Sequence, residues 1–172
     1  AGSWSTAPAD HSIMNDTAVS ALPRVLIVDD SRMVRASIVK HIRGRFEVRE
    51  EPDGEAGWEA LLVDPGIELV LTDIGMPRLD GYGLLERIRA SKVSRVRELP
   101  VVIISGDEDE SARERALALG ANGFLPKGSG SVELLATLTS LVSLAKAQSE
   151  LALSRAALAQ QSPVDPGSGL AT

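Results

Sequence analysis

From Arg24 onward, short apolar runs alternate with stretches whose apolar residues return every three or four positions. "RVLIVD" (24–29) is a continuous apolar strand. "SRMVRASIVKHIRG" sets Met33, Val34, Ile38 and Ile42 at helical spacing, with Ser31 as its cap and Gly44 as its stop. "RFEVREE" alternates Phe46 and Val48 with charges, as a half-buried strand does. "DGEAGWEALLV" returns to helical spacing through Ala56, Ala60, Leu61 and Val63, and "IELVLTD" (67–73) is a third strand. "GMPRLDG" carries the turn chemistry of Pro77 and Asp80-Gly81. A third helix, "YGLLERIRAS", a fourth strand, "LPVVIIS" (99–105), and a fourth helix, "DEDESARERALALG", stopped by Gly120, follow. "NGFLP" (122–126) holds a short fifth strand, and a long helical pattern runs from Ser131 to about Gln161.

Five strands alternating with five helices require crossover connections, hence a parallel α/β sheet with helices on both faces. The apolar strands 1, 3 and 4 belong at its centre, covered on both sides, while the charged strand 2 suits an edge. In such sheets ligands bind at the carboxyl ends of the strands. In a 2-1-3-4-5 order, strand 1 delivers Asp29 and Asp30, strand 3 Asp73, strand 4 Ser105, and strand 5 is followed by Lys127. Like charges about 5 Å apart repel by roughly 3 kcal/mol at an effective dielectric of about 20. Three converging carboxylates are therefore unstable alone, but they suit a hard dication with oxygen ligands, and Mg2+ is the natural choice. Lys127 offsets the remaining charge, and phosphoryl transfer onto a carboxylate is the chemistry that needs this set.

Composition narrows the field. The chain has 172 residues, 44% of them hydrophobic, and a net charge of −6. The length suits one domain with tails, or one domain and part of a second, and the charge argues against a general nucleic-acid binder. Aromatics are 3% of the residues, so the core is built from Val, Leu, Ile and Ala. There are no cysteines, which excludes disulfides and thiolate metal sites and fits a reducing, cytoplasmic setting. No apolar run approaches the ~18 residues that cross a bilayer, so no membrane partner is expected. Residues 1–23 read as a disordered tail, with Met14 as a candidate start residue.

The segments "LIVDDS", "VLTDIGMPRLDG", "PVVIISG" and "GANGFLPK", in this order and spacing, resemble the receiver domain of two-component response regulators. The resemblance covers residue 24 to about 143 and implies the flavodoxin-like receiver fold. It implies that Asp73 is the phosphoacceptor, taking its phosphoryl group from a sensor histidine kinase. Asp29 and Asp30 would organise Mg2+, Asp30 directly and Asp29 through water, and the Gly75 carbonyl would be a further ligand. Ser105 and Lys127 would bind the phosphoryl oxygens. Phe124, three residues before Lys127, would swing inward with Ser105 as the switch pair. Helix 1 and the loops around the site would meet the kinase. The face made by helix 4, strand 5 and helix 5 would pair two copies. Two positions depart from the family: Gly128 stands where proline usually follows the lysine, implying a looser turn, and Gly75 stands where a polar residue is common.

Two other readings compete. A phosphohydrolase of the haloacid dehalogenase type also uses Asp, Ser, Lys and Mg2+, but it wants an acid two residues after its nucleophile, where this chain has Gly75. A phosphate-independent scaffold would not need the acidic set. A dinucleotide-binding domain would need G-x-G-x-x-G at the first turn, which is absent. His41, at the end of helix 1, reads as a solvated helix-end residue, and "GDEDE" as the start of helix 4.

The last helix outruns the sheet. Leu144, Leu151 and Leu158 recur at seven, with Ala147 and Ser154 between them, so residues 144–161 form a thin heptad seam. Such a seam suits a parallel coiled coil joining two copies. In the tail 162–172, "DPGSGL" resembles the "DPLTGL" that opens many GGDEF diguanylate cyclase domains, with departures at Gly167 and Ser168. No GGDEF-like sequence is present, so this chain by itself would make no cyclic di-GMP.

Overall fold

In the computed structural model, residues 22–106 and 110–161 are described, with side chains as far as 159. The strands are β1 (Arg24–Val28), β2 (Glu47–Glu51), β3 (Ile67–Asp73), β4 (Val101–Ser105) and β5 (Gly123–Pro126). The main helices are α1 (Arg32–Ile42), α2 (Gly54–Val63), α3 (Gly81–Arg89), α4 (Glu110–Ala118) and α5 (Ser131–Gln161). All strand pairs are parallel, in the order β2-β1-β3-β4-β5. The expected architecture is therefore the observed one. The expectations for the amino-terminal tail (residues 1–21), for residues 107–109 at the start of helix 4 and for the tail 162–172 lie outside the described residues.

Because neighbouring strand residues point to opposite faces, each central strand feeds two cores. Leu26, Val28, Val70, Val101 and Ile103 pack on one side with Leu84, Leu85 and Ile88 of α3 and Ala116 of α4. Val25, Ile27, Leu69, Leu71, Val102 and Ile104 pack on the other with Ile38 and Ile42 of α1 and Leu134, Leu138 and Val142 of α5. Fully burying such a side chain stabilises by roughly 1.5–3 kcal/mol, so the β1–β3–β4 centre is the rigid base on which the strand ends stand.

Three helices start at side-chain caps, Ser31 among them as expected. The Ser31 hydroxyl accepts from the Val34 amide at 3.2 Å, and Asp53 and Asp80 accept from the amides of Ala56 and Gly83 at 2.8 Å each. Gly44, at φ +91°, turns the chain out of α1. Three details differ from expectation. Met33 and Val63 are 83% and 70% exposed: at about 100° per residue Met33 lies roughly 140° from Ile38 and roughly 180° from Ile42, and Val63 roughly 160° from Leu61. A single helical turn, Ser94–Arg97, precedes β4; it has no side-chain cap and is too short to carry a period. His41 is not merely solvated: its Nδ1 lies 2.6 Å from the Ser131 hydroxyl, tying the end of α1 to the start of α5.

At the amino ends of the strands the fold is stapled by Arg89. Its guanidinium donates to the carbonyls of Arg97, Leu99 and Gly120 at 2.7–3.0 Å and to Asn122 Oδ1 at 2.8 Å. Burial pulls its pKa below the ordinary arginine value.

Candidate functional site

The carboxyl ends of β1, β3, β4 and β5 bring together the residues expected to meet there. Asp29 follows β1 and is 1% exposed; its neighbour Asp30 is exposed; Asp73 closes β3 and is buried. One carboxylate oxygen from each lies within 4.8 Å of the others. Lys127 reaches in from the end of β5, its Nζ donating to Asp73 Oδ2 at 3.1 Å and lying 3.4 Å from Asp29 Oδ2. Ser105 is buried at the end of β4, and its carbonyl accepts from the Lys127 amide at 2.9 Å, so hydroxyl and lysine are carried on one rigid step.

The backbone fixes each acid differently. Asp29 Oδ1 accepts from the Ser31 amide at 2.8 Å, turning Oδ2 inward. That Oδ2 is buried and makes no hydrogen bond, although the Lys127 charge is near. Asp73 Oδ1 accepts from the Ile74 amide at 2.8 Å, and the Thr72 hydroxyl donates to the Asp73 carbonyl at 2.9 Å. Burial, with the Asp73 charge beyond it, pushes the Asp29 carboxyl above its ordinary range despite the Ser31 amide and Lys127. Burial opposes the Lys127 charge, but the hydrogen bond and charge of Asp73, with Asp29 behind, raise its pKa overall. Three carboxylates against one ammonium leave two negative charges uncompensated. A buried carboxylate oxygen without a hydrogen bond, beside two other acids, belongs to the kind of donor set that accepts a dication.

The remaining expected residues take their places around this cluster. Gly75 is exposed, and a side chain there would meet nothing within 4 Å, so the approach to Asp73 is open. Phe124 is half-buried and packs against the α3/α4-side core, one strand from Ser105. The turn after Lys127, expected to be loose because of Gly128, is tied shut: both the amide and the hydroxyl of Ser129 donate to the Pro126 carbonyl, at 3.1 and 2.7 Å.

Other supports escape a reading of the residue pattern. Arg35 on α1 donates to the Asp29 carbonyl and pairs with Glu50 at 3.0 Å, bracing the β1 end against β2. Gly81 has no room for a side chain, since a Cβ would lie 2.0 Å from the Asp73 carbonyl oxygen. Its amide donates to the Ile74 carbonyl at 2.7 Å, which closes the loop after Asp73. The loop is also held by Gly54, whose amide donates to the Leu79 carbonyl at 3.0 Å.

The family model of the response regulator receiver domain matches residues 25–139. This chain belongs to the response regulator receiver family. It is 39% identical over 106 residues to the two-component response regulator ORR5 of Oryza sativa subsp. japonica, covering 61% of this chain and 78% of that protein. It is 38% identical over 152 residues to a protein-glutamate methylesterase/protein-glutamine glutaminase of Symbiobacterium thermophilum, covering 83% of this chain but 40% of that protein. A solved structure described as a probable two-component system response regulator/GGDEF domain protein superposes with a TM-score of 0.66 at 28% identity, covering 74% of this chain and 51% of that one. The receiver is a signalling module, and the matched region makes up about half or less of two of these relatives. No helix among its described residues is long and apolar enough to cross a membrane.

Proposed function

We propose that this receiver accepts a phosphoryl group on Asp73 from the phosphohistidine of a sensor histidine kinase, and that the event is read out as a change in pairing and in a downstream output. The observation that carries the reading is the cluster itself: Asp73 within 3.1 Å of Lys127, with Asp29 and Asp30 completing a set of oxygens within 4.8 Å. Asp30 and Asp73, with the Gly75 carbonyl, would hold Mg2+, and Asp29 would act through water. Bound there, the ion supplies positive charge against the phosphoryl oxygens.

The chain's own residues do the rest. A carboxylate oxygen of Asp73 attacks phosphorus as the phosphorus–nitrogen bond to the kinase histidine breaks, its electron pair remaining on the imidazole. Lys127 offers its ammonium to a phosphoryl oxygen and so gives up part of its hold on Asp73. The Ser105 hydroxyl donates to another oxygen. Phe124, which shares β5 with the Lys127 step, follows Ser105 inward and reshapes the face of α4, β5 and α5. That face pairs two copies, and α5 leads to an output domain. A domain of the GGDEF kind is favoured by the tail "DPGSGL" and by the joined architecture of the solved relative.

The test is incorporation of label from a small phosphodonor with Mg2+. The wild type takes up one phosphoryl group and Asp73→Asn takes up none. Steady turnover of a generic phosphatase substrate by the wild type would instead favour the phosphohydrolase reading.

A further inference from the structure

We infer that the outer half of α5 is one strand of a parallel, in-register two-helix coiled coil, with Glu150 of each copy paired to Arg155 of the other. The occupant of this helix face is thus a second copy of the same chain. The inference sharpens the pairing proposed above but does not depend on phosphorylation of Asp73.

The first ground is the direction of the seam. Leu134, Leu138 and Val142 of α5 are buried against the sheet. On the same side, Ala145, Ser149 and Ala152 line a groove of about 490 Å³ with Pro65, Arg95 and Leu99 of the receiver. At about 100° per residue, Leu144, Ala147, Leu151, Ser154 and Leu158 fall roughly 150° around the helix from that side. The three leucines are 54%, 50% and 63% exposed. The receiver that carries this stripe cannot cover it, because its own contact is on the opposite face.

The second ground is charge. Beyond Lys146, α5 carries two charged residues, Glu150 and Arg155. With the leucines at the a positions and Ala147 and Ser154 at d, Glu150 falls at g and Arg155 at e of the next turns. A g residue and the e residue five positions later on a partner are the pair that meets across a parallel in-register dimer. The twofold axis makes the pair twice. An antiparallel pairing sets e against e and g against g, and offers no opposite charges here. Shifting the leucines to d would place Gln148 and Arg155 in the a layer, so the seam has one sensible register.

The chain has no cysteine, so single cysteines report cleanly. Oxidation of the full chain is expected to cross-link Ser154→Cys to itself and Ala147→Cys to itself, in the Asp73→Asn background as in the wild type. Ser149→Cys, on the groove side, is expected to associate in the same way but not to cross-link. In an equimolar mixture of the two variants, 147–154 disulfides in preference to the self-pairs would overturn the in-register pairing, and equal cross-linking at 149 would overturn the seam. In sedimentation, Glu150→Arg is expected to weaken association about tenfold, since two attractions become repulsions. Glu150→Arg/Arg155→Glu is expected to restore it. A double variant no better than the single one would overturn the pairing. A failure confined to cross-linking or charge exchange would leave phosphoryl uptake by Asp73 untouched, so the two readings fail separately.

Discussion

Replacing Asp29 with Asn is expected to stabilise the protein in EDTA and to lose that advantage in Mg2+. Asp29 is 1% exposed and within 4.8 Å of oxygens on Asp30 and Asp73. At an effective dielectric of about 20 each repulsion is roughly 3 kcal/mol, and the attraction of Lys127 at 3.4 Å offsets roughly 5 kcal/mol. The neighbouring charges therefore nearly cancel, and burial of the carboxylate, only partly offset by the Ser31 amide, tips the balance against the charged form. The pH dependence follows from the raised pKa, whose first cause is burial and whose second raising cause is Asp73. A folded carboxyl that holds its proton longer than the unfolded one loses stability as pH rises from the ordinary value of about 3.9 through the raised one. The advantage of Asp29→Asn is therefore absent below that window and complete at neutral pH. Binding of Mg2+ to the wild type adds about 2.7 kcal/mol at a hundredfold excess over Kd, and the variant forfeits much of it. Urea midpoints for both proteins at pH 4 and 7, with EDTA or Mg2+, make the comparison. A variant that is less stable in EDTA at pH 7, or equally favoured in saturating Mg2+, would refute the reasoning.

Lys127→Met is expected to keep the fold and to slow label uptake from a phosphodonor by about a hundredfold or more, because the ammonium facing the phosphoryl oxygens is gone; rapid-quench labelling measures it. Gly81→Ala should lower the urea midpoint and impair phosphoryl uptake together, since its Cβ would sit 2.0 Å from the Asp73 carbonyl oxygen. Arg89→Met should cost about 2–4 kcal/mol in urea denaturation, by stranding the carbonyls it binds, while leaving uptake by Asp73 intact in the folded fraction.

Much of this molecule is written in its strands. β1, β3 and β4 are apolar through their middles because helices cover both faces, and the polar residues at their carboxyl ends stand out as a set. The sequence could not say which of Asp29 and Asp30 would be buried. Both are carboxylates at a strand end, and only the Ser31 amide and the start of α1 turn Asp29 inward. Gly81 and Gly54 look like ordinary turn and helix-start glycines until the backbone passing over each is known. Arg35 and Ser129 support the site through backbone carbonyls, which leave no trace in a residue pattern. Met33 and Val63 are apolar residues on the outer sides of their helices, which apolar character alone does not separate from the inner ones. The turn at Ser94–Arg97 is too short to show a period at all.

The most direct measurement of the central claim is chemical mapping of the acceptor. After incubation with a phosphodonor and Mg2+, borohydride reduces an aspartyl phosphate to homoserine, and peptide sequencing locates it. Homoserine at position 73, dependent on both donor and Mg2+, is the predicted result. Phosphate recovered at Ser105, or homoserine at 29 or 30 with Asp73 unaltered, would contradict it.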